Sequence, residues 1–337
     1  MELVPSVAAP TRSARNIALV ALALGAGGLL ARAAQGAGVA QVQTFVLIFS
    51  SLLIEALPFI VLGAVVSAAI EVFVPGAAFA RLARLPRPLQ MPVAGLGGFA
   101  FPVCECGSVP VARRLVAKGM APAAAVTFML AAPILNPVVL VSTAVAYRGR
   151  EVMWAMVLGR AALGLLVALA VGWVVANRSK RELLRGGHEE GADHGHAAAL
   201  PRGRRRWRGF FEHLAGDFVL LARYLVIGVA VAAALQTFVS QSVIGSVADT
   251  PVLGVASLML LAGVLSLCSE SDAFVAASFV QFGAGAQLAF LVFGPMVDAK
   301  LGFLYAGTFG KGFVRTVVVV VGAATLAATL WFEVLLG

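Results

Sequence analysis

The decapeptide FPVCECGSVP, residues 101–110, decides the fold of this chain, because it places two prolines, a glycine and a carboxylate inside an apolar segment. That segment covers about residues 92–118, and its prolines and glycine disfavour a continuous helix. A second apolar segment, about 252–282, is interrupted by the polar stretch LCSESD at residues 267–272. We predict that both segments are re-entrant hairpins, which enter the membrane and leave it on the same side.

The other apolar stretches are each long enough to cross a bilayer as a helix, which takes about 20 residues. They cover about residues 16–34, 42–74, 120–147, 152–176, 214–240, 285–309 and 312–335. Their hydrophobicity is continuous rather than alternating, which favours helices over a barrel. The chain is 61% hydrophobic and 12% charged, whereas soluble domains contain roughly 25% charged residues. The sequence therefore predicts an all-α polytopic membrane protein with about seven transmembrane helices plus two re-entrant hairpins.

The net charge of +9 comes from basic residues that concentrate in loops between the apolar stretches. This distribution is typical of membrane orientation, so we do not interpret it as a nucleic-acid surface. The positive-inside rule places the N-terminus and the Arg-rich loop 177–213 in the cytoplasm. If 92–118 were a full crossing, that loop would lie outside, so the charge distribution also favours the hairpin.

The N-terminal stretch from Ile17 to Leu30 is interpreted as a retained first helix, with a cleaved signal peptide as the alternative. The histidines of the 177–213 loop lie among glycines and arginines, which indicates a solvated linker rather than a metal site. The three cysteines are odd in number and adjoin apolar segments, so a disulfide framework is not expected.

Self-similarity divides the chain into two halves. FIVLG at 59–63 resembles YLVIG at 224–228, and each of these motifs is followed by one of the two hairpin tips. PILN at 133–136 then resembles PMVD at 295–298. The predicted organisation is an N-terminal region with the first helix, a first repeat, the basic loop and a second repeat, at residues 1–41, 42–176, 177–213 and 214–337. Each half contains three crossings, so the second half is inserted in the opposite sense, as in the inverted repeats of many transporters.

The first tip offers two thiols, Cys104 and Cys106, on either side of Glu105. In an extended tip both thiols can face one side and act as paired soft ligands. The alternative is that they are small apolar fillers, since free cysteines are commonly buried.

Glu105 and Glu270 occupy equivalent positions in the two tips. A carboxylate within a membrane costs roughly 2.5–3.5 kcal/mol or more and usually faces a cavity or a partner. We therefore assign both to solute or proton handling, together with Ser269 and Asp272 of the second tip. The alternative is local pairing with Arg113, Arg114 or Lys300 that only holds the hairpins.

Pro133 and Pro295 interrupt the helix that follows each hairpin, and Asn136 and Asp298 lie near the middle of these spans. Unwound backbone at such a break is able to bind an ion, and Lys300 can join Asp298 only if the helix is irregular. The alternative is a simple kink that fits the bundle. Glu55 and Arg223, in equivalent spans, are predicted to form a structural or coupling ion pair across the repeat.

Some motifs are missing from the sequence. It contains no phosphate-binding loop, nucleophile elbow or zinc-protease motif. We therefore expect no enzymatic activity, no cofactor and no resident metal.

FPVCECGSVP, followed by AAPILNP at 131–137, closely resembles the predicted-permease family that includes ArsP-like organoarsenical efflux permeases and YraQ-like permeases. SLCSESDAFVAASF at 266–279, with FGPMVDAK at 293–300, is similar to the same family. The resemblance covers about 42–335 and implies a permease of the bacterial inner membrane. Some family members export trivalent organoarsenicals, for which cysteine thiolates are suitable ligands.

The expected function is secondary transport of a small solute, with efflux of a trivalent organoarsenical or another soft metalloid as its sharper form. The expected partners are that solute and the lipid bilayer, not nucleic acid, and the sequence allows a homo-oligomer. Two alternatives stay open: a membrane thiol oxidoreductase that uses the cysteines, and a non-transporting membrane component of a larger complex.

Overall fold

The computed structural model describes residues 40–74, 86–101, 103–176, 204–238 and 251–336. The predicted first crossing, 16–34, and most of the basic loop lie outside these residues. The described part of that loop, residues 204–213, is helical. It belongs to the helix Arg204–Phe238, which covers most of the predicted crossing 214–240.

The described helices of the first half are α1 (Ala40–Phe73), α2 (Arg87–Leu96), α3 (Glu105–Ala117), α4 (Pro122–Leu135), α5 (Pro137–Ala146) and α6 (Met153–Val175). A short 3₁₀ turn, Gly97–Phe99, extends α2. The described helices of the second half are α7 (Arg204–Phe238), α8 (Pro251–Leu265), α9 (Asp272–Ser278), α10 (Ala284–Phe293), α11 (Ala299–Thr308) and α12 (Lys311–Leu336). Each described helix of the first half therefore has a described counterpart in the second half, in the same order.

Within the described residues, five helical stretches are long and apolar enough to cross a membrane. They are Gln41–Phe73, Pro122–Ala146, Met153–Val175, Arg206–Thr237 and Gly312–Val334. The protein is thus an all-α, multi-pass membrane protein, as the sequence predicts.

Two predicted crossings are not continuous helices. The 120–147 stretch is divided at Asn136 between α4 and α5, and the 285–309 stretch is divided between α10, which ends at Phe293, and α11, which begins at Ala299. Asn136 precedes a proline, which disfavours helical backbone, and its ψ is 125°. Pro133 itself lies inside α4, so the break comes after the proline predicted to cause it.

Polar contacts identify one end of the bundle, which we name the Lys118 end. Lys118 Nζ donates to the carbonyl oxygens of Glu71 at 2.7 Å and Val74 at 2.9 Å, so α1 and α3 both finish there. Near the start of α7, the ring of Trp207 contacts that of Phe73 at the end of α1, with the ring centroids 5.9 Å apart. α7 therefore begins where α1 ends.

The opposite end, named the Arg150 end, is marked by Arg150 just after α5. Its guanidinium donates to the carbonyl oxygen of Ala277 in α9 at 2.8 Å. Near the end of α12, Glu333 accepts from the backbone N–H of Gly285 at the start of α10 at 2.6 Å. The last helix of the chain therefore finishes at the Arg150 end, whereas α6, its counterpart in the first half, starts there.

Helix α2 runs in the same direction as α4. A Cβ added to Gly95 would contact Thr127 and Ala131, and one added to Gly98 would contact Ala132 farther along α4. α4 starts at the Lys118 end, so α2 runs from that end into the interior, and α3 returns to it. The corresponding α9 runs to the Arg150 end, so the two interrupted segments belong to opposite ends of the bundle.

Candidate functional site

The two interrupted segments meet in the interior. Ser269, between α8 and α9, donates a hydrogen bond from Oγ to Oε2 of Glu105, the first residue of α3, at 3.0 Å. Glu105 is 1% exposed. The tips predicted on separate hairpins are therefore in direct contact, and a carboxylate of one half is bound by a hydroxyl of the other.

Lys300 of α11 holds this junction. Its Nζ lies 2.9 Å from Oε1 of Glu105, 3.3 Å from the carbonyl oxygen of Leu267 and 3.6 Å from Oδ2 of Asp298. The irregular backbone before α11 brings Asp298 and Lys300 together, which a regular helix would not do. Glu105 thus pairs with the lysine of the other half, one of the partners considered from the sequence.

Arg114, one of the arginines near Glu105 in sequence, pairs elsewhere. Arg114 contacts Asp217 at 3.0 Å and Glu71 at 3.6 Å, toward the Lys118 end. The cation beside Glu105 is therefore contributed by the second half.

All three thiols of the chain adjoin the junction and are free and buried. Cys104 is extended, with φ −75° and ψ 175°, and its Sγ accepts from the backbone N–H of Gly107 at 3.4 Å. The Cys106 thiol lies within hydrogen-bonding reach of the Cys104 thiol. Cys268 Sγ, from the second tip, lies 3.8 Å from Nζ of Lys300. The extended backbone at Cys104 allows the two thiols of the first tip to come together.

Two glycines set the spacing of these elements. A Cβ on Gly63 of α1 would overlap the Cα of Gly107 in α3, and a Cβ on Gly228 of α7 would lie 2.7 Å from the Cα of Lys300. Gly63 and Gly228 end the matched motifs FIVLG and YLVIG. Each glycine therefore lets its long helix approach a segment that carries part of the junction.

Arg160 of α6 is a site residue that sequence reasoning missed. It is fully buried and donates two hydrogen bonds to the Asp272 carboxylate, at 2.9 and 2.7 Å. It also donates to Thr143 Oγ1 at 2.9 Å and to the carbonyl oxygen of Ser269 at 3.2 Å. The available signal was that it is the single charged residue of α6.

The predicted partners Glu55 and Arg223 do not form an ion pair in the structure. Glu55 Oε1 accepts from Oγ of Ser271 at 3.0 Å, so it contacts the second tip. Arg223 is exposed, and its guanidinium lies over the Tyr224 ring at 5.3 Å. Only Glu55 of this predicted pair is placed beside the candidate site.

The other predicted site residues lie at different distances from the junction. Glu270 is half-buried, with Oε2 at 3.5 Å from Oγ of Ser269. Asn136 is buried and accepts from the backbone N–H of Val138 at 3.0 Å, so it caps α5. Pro295 lies between α10 and α11, in the break itself. Among the described residues, no group of three or more His, Cys, Asp and Glu side chains is arranged to hold a metal ion.

The geometry is therefore a buried polar junction inside a membrane-spanning bundle, formed by both halves of the chain. A family model described as a predicted permease matches residues 41–334. The chain belongs to this family of predicted permeases. The match includes every described residue of the junction.

Two curated proteins are similar over most of their length. UPF0718 protein YcgR of Bacillus subtilis is 40% identical over 284 residues, which cover 84% of this chain and 95% of that protein. A Streptococcus mutans protein with the provisional name two-component membrane permease complex subunit is 33% identical over 270 residues, which cover 79% of this chain and 87% of that protein. No solved structure matches the chain.

Proposed function

We propose that this permease is a secondary transporter that carries a small solute through the junction of the two tips. The observation that supports this most strongly is the contact of Glu105 with both Ser269 and Lys300, at 3.0 and 2.9 Å. Buried charge is costly in a membrane and is retained mainly on solute or ion pathways. Here that charge joins the two halves of the bundle.

The two tips are approached from opposite ends, which suits alternating access. Toward the Lys118 end, Arg114 and Asp217 pair at 3.0 Å and join α3 to α7. Toward the Arg150 end, Tyr147 donates to Oε1 of Gln287 at 2.8 Å and joins α5 to α10. In the proposed cycle these two contacts open in turn, so that the junction faces one side of the membrane at a time.

The proposed membrane is the bacterial inner membrane, with the Lys118 end toward the cytoplasm. α6 ends near that side, and α7, which includes residues 204–213 of the predicted basic loop, begins there. A cytoplasmic position for this loop agrees with the positive-inside rule.

The proposed solute is a trivalent organoarsenical or another soft, thiol-binding metalloid, moved outward. Cys104 and Cys106 lie together, and soft thiol ligands suit such a centre. Two thiols react with methylarsenite by forming two As–S bonds and releasing two water molecules, which take up both thiol protons. The binding step therefore needs no oxidant.

The test is accumulation of methylarsenite and arsenite in cells that lack their own efflux systems. Cells with the wild-type protein should accumulate less methylarsenite than cells without it, and Cys104→Ser or Cys106→Ser should abolish this difference while membrane levels of protein stay normal. Cys268→Ser, which removes the thiol of the other tip, is the comparison variant. Unchanged efflux in both first-tip variants would exclude the thiol pair as the metalloid site.

The Streptococcus mutans relative supports a second candidate, in which this chain is one subunit of a two-component permease complex. Under that proposal the purified chain alone should fail to transport in proteoliposomes, and activity should return when a second membrane protein that copurifies with it is added. Transport by the purified chain alone would contradict this candidate and support the first.

A further inference from the structure

Asp298 has one carboxylate oxygen that the protein leaves without a hydrogen-bond donor. Its Oδ1 accepts from the backbone N–H of Leu301 at 2.6 Å and caps α11. Its Oδ2 is fully buried and has no hydrogen-bond partner. The nearest cation, Nζ of Lys300, is 3.6 Å away, which is an ion-pair distance but too long for a hydrogen bond.

The two carboxylates beside Lys300 are treated unequally. Glu105 receives hydrogen bonds from Lys300 at 2.9 Å and from Ser269 at 3.0 Å. Asp298 shares the same ammonium at a longer distance and receives no second side-chain donor. One cation thus faces two carboxylates, so the group carries an excess negative charge when both are ionised. A buried carboxylate with one oxygen that has no donor is strongly disfavoured in its charged form, and one proton removes the excess charge.

The first half of the chain contains the neutral version of the same position. Asn136 is the counterpart of Asp298 in the repeat and caps α5 through the backbone N–H of Val138 at 3.0 Å. An amide therefore suffices for the capping role. The carboxylate at position 298 has a further property, the ability to gain and lose a proton.

We propose that Asp298 is the binding site of a coupling proton, an inference that rests on the proposed transport function. With the proton on Oδ2 of Asp298, the ammonium of Lys300 pairs with Glu105 and so joins the two halves. When the proton leaves, Lys300 is drawn toward the Asp298 carboxylate and its bond to Glu105 weakens. Proton binding and opening of the junction are thereby linked through one lysine.

The surroundings of Asp298 contain few other groups that titrate. Lys300 and Tyr305 lie on its own helix, and Glu105 faces it from α3. The thiols of Cys268 and Cys106 lie near Lys300. α7 approaches α11 through Gly228, which is uncharged. α12 approaches α11 through Phe313, whose ring meets that of Tyr305 edge to face with the centroids 6.2 Å apart.

The direct test is infrared difference spectroscopy of the purified full-length protein as the pH is raised. The wild type should show loss of the carbonyl stretch of a protonated carboxylic acid, and Asp298→Asn, which keeps the cap, should lack this signal. Glu71→Gln is the control, because it removes a carboxylate that is 28% exposed and pairs with Arg114. A signal that is unchanged in Asp298→Asn overturns the proposal.

Should Asp298→Asn fail to fold, aspartate carboxyls are labelled with ¹³C in the wild type. The ¹³C label must then lower the frequency of the carbonyl band that titrates. A titrating band whose frequency does not change belongs to a glutamate and overturns the proposal. The other buried aspartate of the site, Asp272, receives two hydrogen bonds from Arg160 and is tested separately: the titrating band must remain in Asp272→Asn.

The spectroscopic result is independent of transport, so the two ideas fail separately. If Asp298 titrates but the protein moves no methylarsenite, the proton site is supported and the proposed solute is contradicted. In proteoliposomes that do transport it, Asp298→Asn should lower the ratio of pH-gradient-driven accumulation to solute exchange at least ten-fold. Full gradient-driven accumulation in Asp298→Asn would overturn the coupling role.

Discussion

Arg160 and Asp272 are a buried ion pair between the two halves of the chain. The guanidinium is fully buried and contacts the carboxylate at 2.7 Å, and it also binds the carbonyl oxygen of Ser269. Ser269 in turn donates to Glu105 at 3.0 Å. Arg160 is therefore a positioning residue, which holds the second tip where its hydroxyl meets the first.

We expect Arg160→Gln to destabilise the protein by about 3–5 kcal/mol, because it leaves the Asp272 carboxylate buried and unpaired. Asp272→Asn in the same chain should recover most of this loss by removing the orphaned charge. The measurement is thermal unfolding of the purified protein in detergent. Arg208→Gln is the control, since its ion pair with Glu212 at 3.0 Å is exposed and contributes little. Equal unfolding temperatures for Arg160→Gln and Arg208→Gln would contradict the buried role.

At the residue scale the sequence identified Glu105, Ser269 and Lys300, and it named Lys300 as one of several possible partners of Glu105 without choosing among them. Glu105, Ser269 and Lys300 were all predicted as site residues, because charge and hydroxyls in an apolar segment are unusual. Their distances depend on how two segments far apart in sequence pack together, which no local pattern specifies. For the same reason Glu55 was assigned to Arg223, whereas the structure places it against Ser271.

Among the elements, the helices of the interrupted segments are too short to cross a membrane. α3 has 13 residues, which at about 1.5 Å per residue is roughly 20 Å, less than the roughly 30 Å of a hydrocarbon core. The sequence predicted these interruptions because prolines, glycine and polar residues cluster there. It left the division between α10 and α11 open between a break and a simple kink, since an apolar stretch with one proline is compatible with both.

The close approach of α1 to α3 gives a second prediction. Gly63→Ala should lower the unfolding temperature and reduce transport, because the added Cβ would overlap the Cα of Gly107. Gly216→Ala in α7 is the matched control, since its Cβ would meet nothing within 4 Å. Helix propensity alone favours alanine by about 1 kcal/mol at both sites. The unfolding temperature should therefore fall in Gly63→Ala and rise in Gly216→Ala. A raised unfolding temperature in Gly63→Ala would contradict the prediction, because it would show that α1 and α3 can move apart without loss of stability.

At the scale of the whole molecule, the two halves run in opposite directions between the Lys118 and Arg150 ends. α1 finishes where α7 begins, because the ring of Phe73 at the end of α1 contacts the ring of Trp207 near the start of α7, with centroids 5.9 Å apart. This order follows from the sequence repeat and the number of crossings in each half, so it was predictable without a structure. The contact of the tips was not, because it depends on the tilt and depth of both segments.

The topology gives the last prediction, which concerns the first interrupted segment as a hairpin. Three variants each carry one introduced cysteine. The substitutions are at Pro86 and Ala121, which lie before and after this segment, and at Glu151, which lies beyond the next crossing. The native thiols are buried and give little background. In intact cells an impermeant maleimide should label Glu151→Cys alone, and after disruption of the membrane it should also label Pro86→Cys and Ala121→Cys. Labelling of Pro86→Cys and Ala121→Cys from opposite sides would make the segment a full crossing. The two tips would then no longer enter from opposite faces, and alternating access through the junction of Glu105 with Ser269 would lose its geometric basis.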